Sequence, residues 1–316
     1  MSDWRLATPV VFIIFNRPDT TARVFAEIAR ARPPMLLVVA DGPRRDRPGE
    51  ADRCAATRAI IDQVDWPCQV LTEYSGTNLG CRNRVASGID WAFSQVEEAI
   101  FLEDDCLPDP SFFRYCEELL QRYRHDERIA MISGDNFQFG RVRTAASYYF
   151  SRYAHIWGWA SWARAWRHYS RDAASWPAMR DGNWLAGLVL SAREQQYWSG
   201  IFQAVHEGRI DTWDYQWMLA MWTQGMLNVV PRVNLISNIG FGAEATHTRE
   251  VGVHANMPIE AIRFPLSHPD IMLPDRAADR FVADSMFSAP DRRAWRRRLR
   301  TVRRLVAEGW RRAVKP

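Results

Sequence analysis

The chain has no apolar stretch long enough to cross a bilayer as a helix; residues 10–15 supply only about a third of the roughly 20 residues required. It has no paired cysteine motif either. Cys54, Cys68, Cys81, Cys106 and Cys116 are odd in number and show no CxxC spacing, which fits reduced thiols in a cytoplasmic protein better than a disulfide frame or a zinc site. The opening Met1-Ser2-Asp3-Trp4-Arg5 lacks a cationic leader before a long apolar segment, so no signal peptide is expected. There is no internal repeat and no low-complexity linker. What is present is an ordinary globular composition, 47% hydrophobic and 25% charged over 316 residues. That length suffices for one large domain or two small ones.

Charge is unevenly placed. Residues 291–316 hold eleven Arg/Lys against Asp291 and Glu308, a local balance of +9 in a chain whose total is +4, leaving −5 for residues 1–290. Trp295, Leu299, Val302, Val306, Trp310 and Ala313 recur at helical spacing in this segment. A basic amphipathic helix carrying tryptophans suits an anionic membrane surface. Its alternatives are packing on the domain with a solvated basic face and, least expected, nucleic acid.

The first hundred residues alternate between strand and helix patterns. Strands are expected at 10–15, 35–40, 68–72 and 99–102, with helices at 18–32, about 49–64 and from residue 80 to about 96. Such alternation with short links implies a mostly parallel sheet covered by helices on both faces. Beyond residue 110 the pattern changes: a helix at 110–124, a strand at 129–133, an aromatic-rich stretch at 140–183, helices near 193–207 and 211–225, then mostly loop with short strands at 232–275. Residues 1–134 read as a nucleotide-binding half, 135–290 as an acceptor-binding half and 291–316 as the basic helix. The two halves are expected to share one sheet.

Glu103-Asp104-Asp105 follows the apolar run 99–102 and precedes Cys106-Leu107-Pro108, placing three acids at the C-terminal end of a strand. Open α/β sheets bind ligands at that edge. Three adjacent carboxylates repel one another unless a cation offsets them, and hard oxygen donors suit Mg²⁺ or Mn²⁺. A solvated acidic turn is the plainer alternative. Asn16-Arg17 follows the first strand and Asp41-Gly42 the second, so a nucleotide over this edge would meet both; Asp41-Gly42-Pro43 also suits a simple β-turn. Asn78-Leu79-Gly80-Cys81-Arg82-Asn83-Arg84 opens a helix, with Asn78 as its cap, free N–H groups favouring an anion, and Arg82 and Arg84 adding donors. Asp135 and Asn136, after the fifth strand, are candidates for contact with a sugar.

Taken in order, Phe15-Asn16-Arg17-Pro18, Ala40-Asp41-Gly42-Pro43, Asn78-Leu79-Gly80 and Phe101-Leu102-Glu103-Asp104-Asp105 resemble the nucleotide-sugar half of GT-A glycosyltransferases. N-acetylglucosaminyltransferase I-like enzymes and bacterial family-2-like transferases are the nearest types, and the resemblance covers residues 8–135 well and the rest in patches. It implies a Rossmann-like GT-A fold in which the acids are the DxD equivalent: Asp105 binds Mn²⁺ or Mg²⁺, and Glu103 and Asp104 face ribose and donor sugar. Thr212-Trp213-Asp214-Tyr215-Gln216-Trp217 resembles the Trp-Asp-x-x-Trp segment carrying the family's catalytic aspartate, which makes Asp214 the base and Trp213 its pocket neighbour. Asp214 also suits the first turn of a helix, and Asp211 its cap. His247 matches a C-terminal histidine that completes the family's metal or pyrophosphate site, with His254 and His268 as competitors. His155, Trp157, Gly158 and Trp159 match a glycine-containing loop lining the donor and acceptor pocket, although at least half of the tryptophans are expected in the core.

The resulting expectation is a metal-dependent, inverting transferase moving a sugar from a nucleoside diphosphate-sugar to a hydroxyl. The basic tail points to a glycan or lipid-linked glycan acceptor at the inner membrane face, in cell-surface glycan synthesis. One rival is a nucleotidyltransferase making nucleotide sugars, which would want a glycine-rich basic loop where Asn16-Arg17-Pro18 stands. The other is a non-catalytic glycan- or nucleic-acid-binding protein, against which the acids and the base candidate argue.

Overall fold

A computed structural model describes residues 4–241 and 255–287. His247, His254 and the whole of 291–316 lie outside the described residues.

Buried β-branched runs make the first strands. β1 (Val10–Ile14) has all five residues buried, and β2 (Met35–Ala40) five of six. Between them α1 (Pro18–Ala31) opens on proline, whose fixed φ and missing N–H suit a first turn, and closes on Arg32 in the left-handed conformation. α2 (Glu50–Ala59) tightens into a 3-10 turn at Ile60–Gln63 before β3 (Gln69–Tyr74), a half-exposed edge strand. α3 (Gly80–Gln95) leads to β4 (Glu98–Glu103) and a short β5 (Cys106–Pro108). Then come α4 (Ser111–Tyr123), β6 (Ile129–Ser133), β7 (Tyr148–Ser151) and β8 (Trp159–Trp162). Three short helices follow: α5 (Ala163–Trp166), α6 (Trp176–Asp181) and α7 (Leu185–Leu188). α8 (Ala192–His206), α9 (Asp214–Thr223), β9 (Leu227–Pro231), β10 (Ile236–Asn238) and α10 (Arg276–Met286) complete the order among the described residues.

Eight strands form one sheet in the order β3-β2-β1-β4-β8-β6-β9-β7. The pairs β3/β2, β2/β1, β1/β4 and β6/β9 are parallel, whereas β8 runs antiparallel between β4 and β6, and β7 antiparallel at the far edge. The result is a Rossmann-like α/β fold with a mostly parallel central sheet flanked by helices. Strand alternation sends Val10, Phe12, Ile14, Leu36 and Val38 to one face with α1 and α4, and Val11, Ile13, Leu37 and Val39 to the other with α3. A third cluster, Tyr153, Trp176, Trp198, Phe202 and Trp222, packs around α8 and α9. The sheet crosses residue 134 without a break. After β1 the chain steps outward to β2 and β3, then returns to place β4 on β1's other side. The boundary between β1 and β4 is therefore a topological switch point, where α/β sheets open a crevice at their carboxyl ends.

Candidate functional site

Both sides of that crevice carry charge. Arg17, just after β1, extends Nη1 to 2.8 Å from Asp105 Oδ2 and 3.9 Å from Asp104 Oδ1, just after β4. Asp104 Oδ2 in turn accepts the Phe15 N–H at 3.0 Å, tying the ends of the two strands together. The small β5/β10 sheet holds Asp105 from behind: its carbonyl accepts the Ile239 N–H at 2.8 Å, and its Oδ1 faces Asn238 Nδ2 at 3.5 Å. Gly240 then crosses so closely that a Cβ would run into Asp105 Oδ2 and lie 2.7 Å from Arg17 Nη1. A side chain at 240 would have to push the Asp105 carboxylate and the Arg17 guanidinium aside.

Among the described residues these three carboxylates are set against one guanidinium, that of Arg17, which leaves anionic charge in excess. Glu103 is pushed up to about 8, first by burial, then by Asp105, Asp104 and Asp214. Asp104 is pushed up to about 7 by burial and Asp105, with Arg17 and the Phe15 N–H pulling the other way. A divalent cation would relieve this strain, and its hard-oxygen preference matches the donors. Among the described residues no three His, Cys, Asp or Glu side chains converge to hold a metal ion. Mg²⁺ and Mn²⁺ sites that use one or two carboxylates are completed by substrate phosphates and water.

Asp214, the first residue of α9, comes near enough from the second half for its charge to act on Glu103. Its Oδ1 accepts from the Thr212 hydroxyl. The same segment is anchored by Trp213, whose carbonyl receives the Tyr169 hydroxyl at 3.1 Å.

The start of α3 departs from expectation. Asn78 does not cap it; its Nδ2 donates to Asp41 Oδ2 (2.9 Å) and Gly42 O (3.0 Å). Asp41 accepts the N–H groups of Leu79 and Gly80, and Asp211 those of Cys81 and Arg82. The helix N-terminus is thus filled by two of the chain's own carboxylates rather than left for an anionic ligand, and Asp211 caps α3 instead of α9. Burial raises the Asp41 carboxyl despite its N–H donors. Arg84 is 4% exposed and turns back onto Glu73 of β3, donating to its carbonyl at 2.9 Å and pairing with its carboxylate. Packing against β3 gives this arginine a structural partner in place of a phosphate. Arg82 aims its guanidinium toward Gly208. Asn16 donates to Glu50 (2.9 Å), which is fully buried and bonded to the Arg44 guanidinium.

The aromatic loop also needs correcting. Trp159 and Trp213 are 1% and 2% exposed and stack on each other at 5.7 Å, and Phe101 also stacks on Trp159 at 4.4 Å. They are core, because β8 presses its odd residues under α3 and α9. Gly158 has φ +63°, and a Cβ there would lie 2.5 Å from Ile236 Cδ1, so its close approach is to the protein's own β10. Among the described residues Asn136 bonds inward, to Pro231 O (2.6 Å), Arg232 O (3.2 Å), Asn234 and Gln138. His155 is buried beside Phe137, and burial pushes it down to about 3, a neutral ring at any working pH. Asp135 is also fully buried, accepting the Trp157 N–H at 3.3 Å, and burial raises it far above the carboxylate range. Trp157 alone of this loop's candidates keeps part of its side chain open, edge-on to Phe137 and Phe241. Asn238 and Gly240, which frame Asp105, were missed as site residues because their sequence offers only a loop; the pairing that brings them in is long-range.

The sequence matches no protein-family model and no curated protein. Several solved structures are similar in fold. A mannosyltransferase from Pyrobaculum calidifontis, solved with GDP-mannose and Mn²⁺, shares 11% identity over 71% of this chain and 70% of its own, with a TM-score of 0.41. A UDP-glucose pyrophosphorylase complexed with UDP-glucose shares 9% over 72% and 90%, with a TM-score of 0.35. Mouse xyloside xylosyltransferase 1 shares 10% over 69% and 83%, with a TM-score of 0.34.

Proposed function

We propose that this protein is a divalent-metal-dependent glycosyltransferase of the GT-A type, transferring a sugar from a nucleoside diphosphate-sugar to an acceptor hydroxyl with inversion. The observation that carries the reading is the acid trio at the β1/β4 switch point, more anion than Arg17 offsets among the described residues, with Asp214 near enough for its charge to act on Glu103. Asp105 is the residue to hold Mn²⁺ or Mg²⁺, with His247 joining from outside the described residues. When bound, the cation would neutralise charge on the departing nucleoside diphosphate. Glu103 and Asp104 face the donor, Asn16 and Arg17 line its base and ribose end, and Trp157 offers a face for a sugar. Asp214 takes the proton from the acceptor hydroxyl as it attacks; direct attack opposite the leaving group inverts the anomeric centre.

The β1–α1 link, Phe15-Asn16-Arg17, is three residues long and has no glycine, which speaks against the triphosphate-cradling loop of a nucleotidyltransferase. The acceptor we favour is a lipid-linked or cell-surface glycan on the cytoplasmic membrane face, reached through residues 291–316. The test is a thermal-shift panel of UDP and GDP with and without Mn²⁺, followed by donor hydrolysis. Asp105→Ala is expected to lose the Mn²⁺-dependent shift, while Asp214→Ala keeps it and loses at least about 100-fold in turnover. Full turnover by Asp214→Ala removes it as base; no stabilisation by either nucleotide removes the whole reading.

A further inference from the structure

The first N–H groups of a helix have no partner inside it, and at α3 the chain meets them from two directions. Asp41 reaches from the neighbouring strand end. Asp211 reaches from 130 residues beyond Cys81, accepting the Cys81 N–H at 3.2 Å and the Arg82 N–H at 3.0 Å. The fit is close: Gly80 sits at φ +78°, and a Cβ there would stand 2.8 Å from Asp211 Oδ2.

Asp211 lies three residues before Asp214. Other ties on this turn include Tyr169 to the Trp213 carbonyl, Trp213 against Trp159, and Gln216 to Arg171 O (3.2 Å) and Thr212 O (2.7 Å), and Trp217 Nε1 lies 3.2 Å from Met131 Sδ on β6. Asp211 adds a tie from this turn to α3, on the donor side of the sheet. We infer that Asp211 is a positioning residue: by capping α3 it registers the Asp214 turn against the acid trio and sets where the base stands. A carboxylate is well suited to the task, since the helix dipole favours negative charge at its N-terminus. The inference rests on the proposed role of Asp214. It assigns Asp211 no contact with substrate.

The test uses the full chain and three variants. Hydrogen exchange reads the brace without any substrate: Asp211→Ala should speed exchange at the Cys81 and Arg82 amides and across 209–218, with β1 unchanged. Hydrolysis of UDP-glucose or GDP-mannose with Mn²⁺, where water replaces the acceptor, reads its consequence. Asp211→Ala should lower kcat about 10- to 100-fold, as expected when a catalytic group shifts by an ångström or so. Binding of UDP or GDP should stay within about twofold, separating kcat from binding. Asp211→Asn, which keeps an acceptor oxygen, should recover most of the rate, and Gly80→Ala, which displaces Asp211 from the other side, should repeat the loss. Unchanged exchange in Asp211→Ala overturns the brace itself. An unchanged kcat, or nucleotide binding lost in step with kcat, overturns the positioning role. Wild-type protein that binds neither UDP nor GDP sinks the glycosyltransferase reading, and the catalytic consequence with it.

Discussion

Glu103 and Asp104 titrate in the neutral range because the fold buries them beside Asp105. Folded protein thus keeps protons that the unfolded chain releases near pH 4. Stability from this pair is fully present below that pH and is lost as pH rises through about 7 and 8. Melting temperature without divalent cations should therefore fall between about pH 5 and 8, and Mn²⁺ should raise it more at pH 8 than at pH 6. A metal-free melting curve flat across that range would contradict the burial of the trio. The acids themselves were readable, since a strand end followed by three carboxylates announces itself. What surrounds them was not. Asp41 and Asn78 look like ligand contacts in sequence because strand-end polar residues serve ligands and caps alike. Only the fold shows Asp41 accepting four N–H groups of its own chain, those of Gly42, Asn78, Leu79 and Gly80.

At the scale of elements, sequence reading succeeded where an apolar run is bounded by turn residues. β1, β2, β4 and β6 fall where expected, as do α1, α4 and α8 to within a residue or two. β8 was not legible. Trp159-Ala160-Ser161-Trp162 is short and aromatic, and its place between β4 and β6 is fixed by pairing with residues 98–101 and 131–133. Its entry depends on Gly158, whose positive φ and contact with Ile236 leave no room for a methyl group. Gly158→Ala should cost about 2–4 kcal/mol, combining a left-handed backbone with overpacking. A urea titration at fixed pH would measure it as a shift in midpoint with unchanged slope. A loss below about 0.5 kcal/mol would mean that β10 yields easily, and that the glycine serves something other than packing.

Among the described residues one eight-stranded sheet runs through both halves of the chain, with the two-stranded β5/β10 sheet set beside Asp105. Because β8 and not β6 covers β4, a fragment ending at residue 134 would expose the β4 edge at Ala99–Phe101. Such a fragment should be insoluble or unfolded when expressed alone, as circular dichroism and analytical centrifugation can check; a soluble, cooperatively folded fragment would show that the halves are separable. The charge asymmetry also belongs to this scale, for residues 291–316 are strongly basic in a chain otherwise acidic. Deleting them should reduce pelleting with anionic vesicles and leave neutral vesicles unaffected, and the loss should shrink in high salt. Equal pelleting of both proteins on anionic lipid would end the membrane reading. The seam at Gly80 and Asp211 bears on inheritance. Recombination that exchanged everything after residue 134 with a distant relative would import a new partner for α3. If that relative lacked an acid at this position, or if the recipient lacked the glycine, the hybrid would keep both halves of the machinery and lose their alignment. The two residues must travel as a pair, which makes a crossover between them harder to tolerate than the loop around either would suggest.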